Sequence, residues 1–240
     1  MATKGHPAGS RARQAREGGV RSSQTLDRGL RLLKVLAQEP NGLTVTELAS
    51  RLGIHRTNVY RLLATLAQHR LVWRDRAGRY LLGTGVMELA RGVAHDLRTA
   101  ALPILSELAE KVQATAFLTL ADGDEAVALA VVEPRRTNIH VAYRVGFRHP
   151  IDRGASGLAI LAGRPPQPGE RQEVKEARNL GYSVTRGELQ PGAWGIAAPI
   201  CVGGRPADAS VGVVTLGELD VDRVAPHVLE AARAIAEALA

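Results

Sequence analysis

Cysteine is nearly absent. Cys201 stands alone among 240 residues, which excludes an internal disulfide framework and any multi-cysteine metal site. Aromatic residues make up only 3%, so the core must be mainly aliphatic. No apolar run approaches the roughly 18 residues of a membrane-spanning helix, and no apolar segment follows the basic N-terminus as in a secretory leader. The seven histidines show no i, i+4 pair and no cysteine neighbour, which argues against zinc. Neither a Walker loop nor a dinucleotide glycine motif occurs, and no repeat of fixed period is present. These absences predict a cytoplasmic protein with no membrane partner, no metal and no cofactor.

Charge of one sign is scarce in one part of the chain. Residues 1–82 hold fifteen Lys/Arg against five Asp/Glu, whereas residues 83–240 hold sixteen against nineteen. The overall charge of +7 therefore resides in the N-terminal third. A basic third attached to a mildly acidic remainder is the pattern of a nucleic-acid module joined to something else. Ten of the fifteen basic residues lie beyond position 21, within patterned sequence. Residues 1–21, rich in Gly, Ala and Arg without periodicity, read as a disordered basic tail.

The patterned region begins at Ser22. Leu26, Leu30, Leu33, Val35, Leu36 and Ala37 predict a helix, capped by Ser22 or Ser23 and ended by the turn Glu39–Leu43. Thr44 or Thr46 can cap a second helix, whose apolar positions are Leu48, Ala49 and Leu52. Gly53 suits a left-handed C-cap. A third helix, from about Ile54 to His69, carries Val59, Leu62, Leu63 and Leu66 on one side. His55, Arg56, Thr57, Asn58, Tyr60 and Arg61 crowd its start. A helix-turn-helix over about 44–66 needs this arrangement, because the start of the recognition helix meets the major groove. The bland alternative is a helical hairpin with a solvated face. Two strand-like runs over 71–83, flanking Asp75-Arg76-Ala77-Gly78, predict a hairpin and complete a winged helix-turn-helix over 22–83. Thr57, Asn58 and Arg61 are candidate base readers, with His55 behind them. Arg56 and the wing residues Arg74, Arg76 and Arg79 are candidate phosphate ligands.

Residues 84–98 predict an amphipathic linker helix, and Pro103 is expected in the first turn of the helix after it. From 99 to 240 the pattern predicts a second domain of α+β class, with helices on one side of a sheet. Its expected strands are 114–120, 125–133, 138–143, 182–185, 194–202 and 211–216. Its expected helices are 154–162, 170–180 and 225–240.

Four stretches carry a family likeness: SSQTLDRGLRLLKVLA, TELASRLGIHRTNVYRLLATL, GRYLLG and GYSVTRGELQPGAWGIAAPI. Together they resemble the IclR family of bacterial transcriptional regulators, over about Ser22–Ala240. The resemblance implies a winged helix-turn-helix joined by a helix to a GAF-like effector and oligomerisation domain. It also implies a homodimer, or dimer of dimers, on a palindromic operator of double-stranded DNA. A small organic effector, a carboxylic or aromatic acid in many members, would control a repressor or activator. Two departures stand out. Gly195 replaces a cysteine common in the family, and Thr185-Arg186-Gly187 precedes Glu188 where acidic residues are frequent.

Ala155, Ser156 and Gly157 open a helix whose free N–H groups can hold a carboxylate. Thr185, Glu188, Gly195 and Thr215 match family positions near the effector. The same Gly154–Leu158 stretch mimics a serine-hydrolase elbow, but its fifth position is Leu rather than Gly. A serine-dependent hydrolase with a DNA-binding appendage is thus the alternative, and a purely architectural DNA-binding protein would leave the second domain without a task. The reading favoured is a regulator, not an enzyme.

Overall fold

The computed structural model describes residues 22–135 and 143–240. The expected tail 1–21 and nearly all of the expected strand 138–143 lie outside these residues. The described chain forms two compact units that divide between Val93 and Ala94.

In the first unit, α1 spans Gln24–Ala37, and Ser23 caps it by accepting the Leu26 N–H at 3.4 Å. Its buried stripe is Gly29, Leu32 and Leu36. Leu26 and Leu30, expected on that face, are 61% and 49% exposed. The reason is close approach: a Cβ at Gly29 would lie 3.8 Å from the Leu62 side chain, so α1 presents its smallest residue to the third helix. α2, Val45–Leu52, starts with a capping box in which Thr44 and Glu47 each bond the other's backbone N–H. It stops at Gly53, whose φ of 63° is left-handed, as its sequence position predicts. α3 runs Arg56–Gln68, beginning two residues later than expected because His55 is its cap. The hairpin β1 (Val72–Arg74) and β2 (Tyr80–Leu82) follows, and β2 also bridges Leu43. Leu32, Leu36, Leu43, Leu48, Val59, Leu63 and Val72 form the core of this unit.

The expected single linker helix is not formed. α4 covers only Gly85–Ala90, and the helical path breaks before Ala94, whose φ is 42°. α5 then runs His95–Val112, so Pro103 falls mid-helix and not in the first turn.

The second unit is built on a six-stranded antiparallel sheet of order β5-β4-β3-β8-β7-β6. Its strands are β3 (Thr115–Asp122), β4 (Glu125–Val132), β5 (Arg148–Pro150), β6 (Ser183–Arg186), β7 (Ala193–Ile200) and β8 (Ala209–Leu216). The short edge strand β5 has no counterpart in the sequence reading. α6 (Gly154–Ala162), α7 (Gln172–Leu180) and α8 (Val221–Ala238) complete the unit. Helices cover both faces of the sheet, not one. Ala116, Leu118, Ile196, Ala198, Val211 and Val213 pack with α5 and α8. Their neighbours along the strands, including Phe117, Ala197 and Val214, pack with α6 on the opposite face. These strands are apolar at consecutive positions because both faces are buried.

Candidate functional site

Two surfaces carry chemistry, and each lies within one unit. On α3, Val59 and Leu63 are buried while Arg56, Thr57, Asn58, Tyr60, Arg61 and Thr65 are exposed. One side of the helix is fixed by the core and the other is a polar strip. His55 Nδ1 approaches the Thr57 N–H at 3.4 Å and the Thr57 hydroxyl at 3.1 Å. His55 is therefore a helix cap, and Thr57 is partly engaged by it. Asn58 and Arg61, one turn apart, line a cleft of about 170 Å³ with Thr65 and with Thr25 and Arg28 of α1. Sequence reasoning missed Thr25 and Arg28, which only the packing of α1 on α3 brings alongside the strip.

The three wing arginines separate. Arg76 is exposed at the hairpin tip. Arg74 lies over the Tyr80 ring at 5.7 Å and donates to the Gly78 carbonyl at 3.4 Å. Arg79 donates to the carbonyls of Asn41 and Gly42 at 3.0 and 2.9 Å and pairs with Glu47 at 3.3 Å. Its Nε and Nη2 groups tie the wing to the start of α2, which leaves Arg79 less free than Arg76 to reach a phosphate.

The second surface is a cavity of about 260 Å³ between α6, the sheet and the β6–β7 loop. Ala155, Ser156, Thr185, Glu188 and Gly195 line it, with Phe117, Tyr143, Phe147, Leu189, Gln190, Ala193 and Val214. Two expected members are absent from the lining. Gly157 serves packing, because a Cβ there would sit 2.1 Å from the Ile151 carbonyl oxygen. Thr215 adjoins Val214 on β8 and so faces away from the cavity that Val214 lines.

The first turn of α6 is held from three directions. Ser183 donates its hydroxyl to the Ala155 carbonyl at 2.5 Å, and Ser210 donates to the Ser156 carbonyl at 2.9 Å. At its start, the Gly154 N–H donates to Glu188 at 2.7 Å, and Arg171 grips the other Glu188 oxygen at 2.8 Å. Burial opposes the Glu188 charge, but Arg171 and the Gly154 N–H outweigh it and hold this carboxyl below its ordinary range. Of the N–H groups at the start of α6, that of Gly154 is thus already bonded to the protein's own carboxylate.

Beneath the cavity runs a buried polar chain. His149 Nδ1 is 2.9 Å from the Pro150 carbonyl, and its Nε2 is 3.1 Å from the Ser156 hydroxyl. The Tyr143 hydroxyl lies 3.5 Å from Ser156 and 3.2 Å from Thr119. Burial lowers the His149 pKa and raises that of Tyr143, so both are neutral at pH 7. The sequence offered no signal for His149, which lies on the strand that the sequence reading omitted.

A winged helix-turn-helix with an exposed polar strip on its third helix, in one chain with an α+β unit that holds a cavity, defines the class of a two-domain DNA-binding regulator. The IclR helix-turn-helix domain matches residues 25–76, and the bacterial transcriptional regulator IclR C-terminal domain matches 92–171. The chain belongs to the IclR family of DNA-binding transcriptional regulators. It is 28% identical over 202 residues to the HTH-type transcriptional regulator KipR of Bacillus subtilis, covering 74% of this chain and 80% of that one. A crystal structure of an IclR-type regulator from Alicyclobacillus acidocaldarius superposes with a TM-score of 0.75 at 26% identity, over 92% of this chain and all of that one. An IclR homologue from Microbacterium hydrocarbonoxydans, solved with 4-hydroxybenzoate, shares the fold with a TM-score of 0.79 at 24% identity, over 90% of this chain and 98% of its own.

Proposed function

We propose that this regulator binds a palindromic operator as a homodimer or dimer of dimers in the cytoplasm, with α3 of each copy in a major groove. The exposed strip Arg56–Arg61 carries this reading, because its donors lie opposite a face fixed by Val59 and Leu63. In it, Asn58 and Arg61 read base edges, helped by Thr57 and Tyr60. Arg56, Arg74, Arg76 and also Arg28 contact phosphates, while His55 and Arg79 hold the frame. A small organic molecule in the cavity controls operator binding by its differential affinity for two states of the protein. Repression is the direction we favour, since occupancy of a promoter suffices for it, whereas activation requires a further surface.

Salt dependence tests the contact set. Arg76→Ala should weaken binding on every DNA sequence and lower the slope of log K against log salt by about one unit. Arg61→Ala should instead cost roughly tenfold or more on the preferred operator and relax preference at one base position. Coincident salt slopes for wild type and Arg76→Ala would remove the wing from the interface.

A further inference from the structure

We propose that the cavity takes an uncharged, hydroxyl-bearing aromatic molecule, a phenol or aromatic alcohol, and discriminates against the carboxylate on the same ring. The proposal rests on the reading of this cavity as the effector site and narrows it. Hydrogen-bond direction carries the argument.

The Pro150 carbonyl can only accept, so His149 Nδ1 carries the proton directed at it. In a neutral imidazole Nε2 then accepts, and the hydroxyl it faces, Ser156, must donate. The proton of Ser156 is therefore committed below the cavity floor. Beside the Tyr143 hydroxyl at 3.5 Å, what Ser156 has left for a ligand is an oxygen lone pair, which suits a ligand O–H or N–H. A carboxylate is acceptor-only and would set oxygen against oxygen there.

The rim gives the same result from different groups. Glu188 is also acceptor-only, and it already takes the Gly154 N–H and the Arg171 guanidinium. Arg171 in turn pairs with Glu173 at 3.1 Å, so its charge is shared between two carboxylates of the protein. A ligand carboxylate entering here would compete with Glu188 for both donors. The neutral donors Thr185 and Gln190 remain on the wall, and a charged ligand gains less from these than from a cation.

The walls suit a ring. Phe117, Tyr143 and Phe147 form a tilted series with centroids 5.0 and 5.3 Å apart, and Val214 and Ala193 add aliphatic surface to the lining. A volume of about 260 Å³ exceeds the roughly 150 Å³ cavity that accepts benzene, which leaves room for one ring with small substituents. Gly195 keeps that room open: a Cβ there would lie 3.3 Å from that of Ala155.

The test is calorimetric titration of the full-length protein at pH 7.5 with a matched pair, 4-hydroxybenzyl alcohol and 4-hydroxybenzoate, which differ in the group opposite a shared phenol. The alcohol should bind the wild type about tenfold or more tightly than the acid, since a carboxylate that meets only neutral donors on burial is penalised. Glu188→Gln should narrow that gap by improving the acid, with circular dichroism and gel filtration confirming an intact fold. Equal or tighter binding of the acid by the wild type overturns the inference and leaves the cavity as an effector site. If neither compound binds the wild type the inference fails, and the effector reading of the cavity fails with it only if a panel of small organic acids and alcohols also gives flat traces. The wild-type comparison decides the ligand preference even where a variant does not fold.

Discussion

Glu188 shows how one side chain sets the character of the cavity. It stands in the β6–β7 loop, caps α6 through Gly154 and holds Arg171. Because its folded pKa is depressed, its stabilising contribution is present above the ordinary value of 4.5 and is lost as pH falls through the lower folded value. His149 titrates in the same sense from a different cause. Burial lowers its pKa from 6.5, so the unfolded chain takes up a proton first and stability declines as pH falls below about 6.5. The expected outcome is a loss of unfolding free energy between pH 7 and 5 that His149→Gln largely removes, as read by denaturant titration across pH. A second substitution separates packing from binding. Gly157→Ala should destabilise the fold by about 1–3 kcal/mol through its clash with the Ile151 carbonyl, whereas Gly195→Val should leave stability nearer wild type and reduce aromatic ligand binding. Ala155, Ser156, Thr185, Glu188 and Gly195 were legible because they fall in contiguous motifs. Phe117, Tyr143, Phe147 and His149 were not, because each arrives from a different part of the chain and only the fold assembles them.

At the scale of elements, local chemistry was the most readable. Ser23, Thr44 with Glu47, and Gly53 mark helix ends through short-range bonds that need no tertiary context. The face of α1 was misjudged because burial there follows Gly29, whose lack of a side chain a count of apolar residues ignores. The sheet was taken as covered on one side because consecutive apolar residues in β3 and β8 carry no alternation to assign faces. The wing shows why residue type alone does not give a role: three arginines share one hairpin, yet only Arg79 bonds Gly42 and Glu47. Arg79→Ala should therefore lower the melting temperature by roughly 5 °C, with DNA affinity falling only in proportion to the loss of fold. Arg76→Ala should do the reverse, leaving the melting temperature within about 1 °C and changing the salt slope.

Across the molecule, a basic unit ending at Val93 carries the helix-turn-helix, and a mildly acidic one beginning at Ala94 holds the cavity proposed to take a ligand. The charge imbalance made that division visible before any fold was known, because it depends on composition and not on contacts. In the proposed regulation a ligand in the second unit would govern the first through populations, and its leverage could not exceed its difference in affinity between states. The most direct test of the account is selection of bound sites from random duplex DNA at physiological salt, with wild type and Asn58→Ala in parallel. The account predicts an inverted-repeat site enriched by the wild type, with Asn58→Ala losing preference at a symmetric pair of positions while retaining salt-sensitive background binding. Identical enrichment by both proteins, or none by the wild type, would contradict the assignment of α3 as the element that reads the operator.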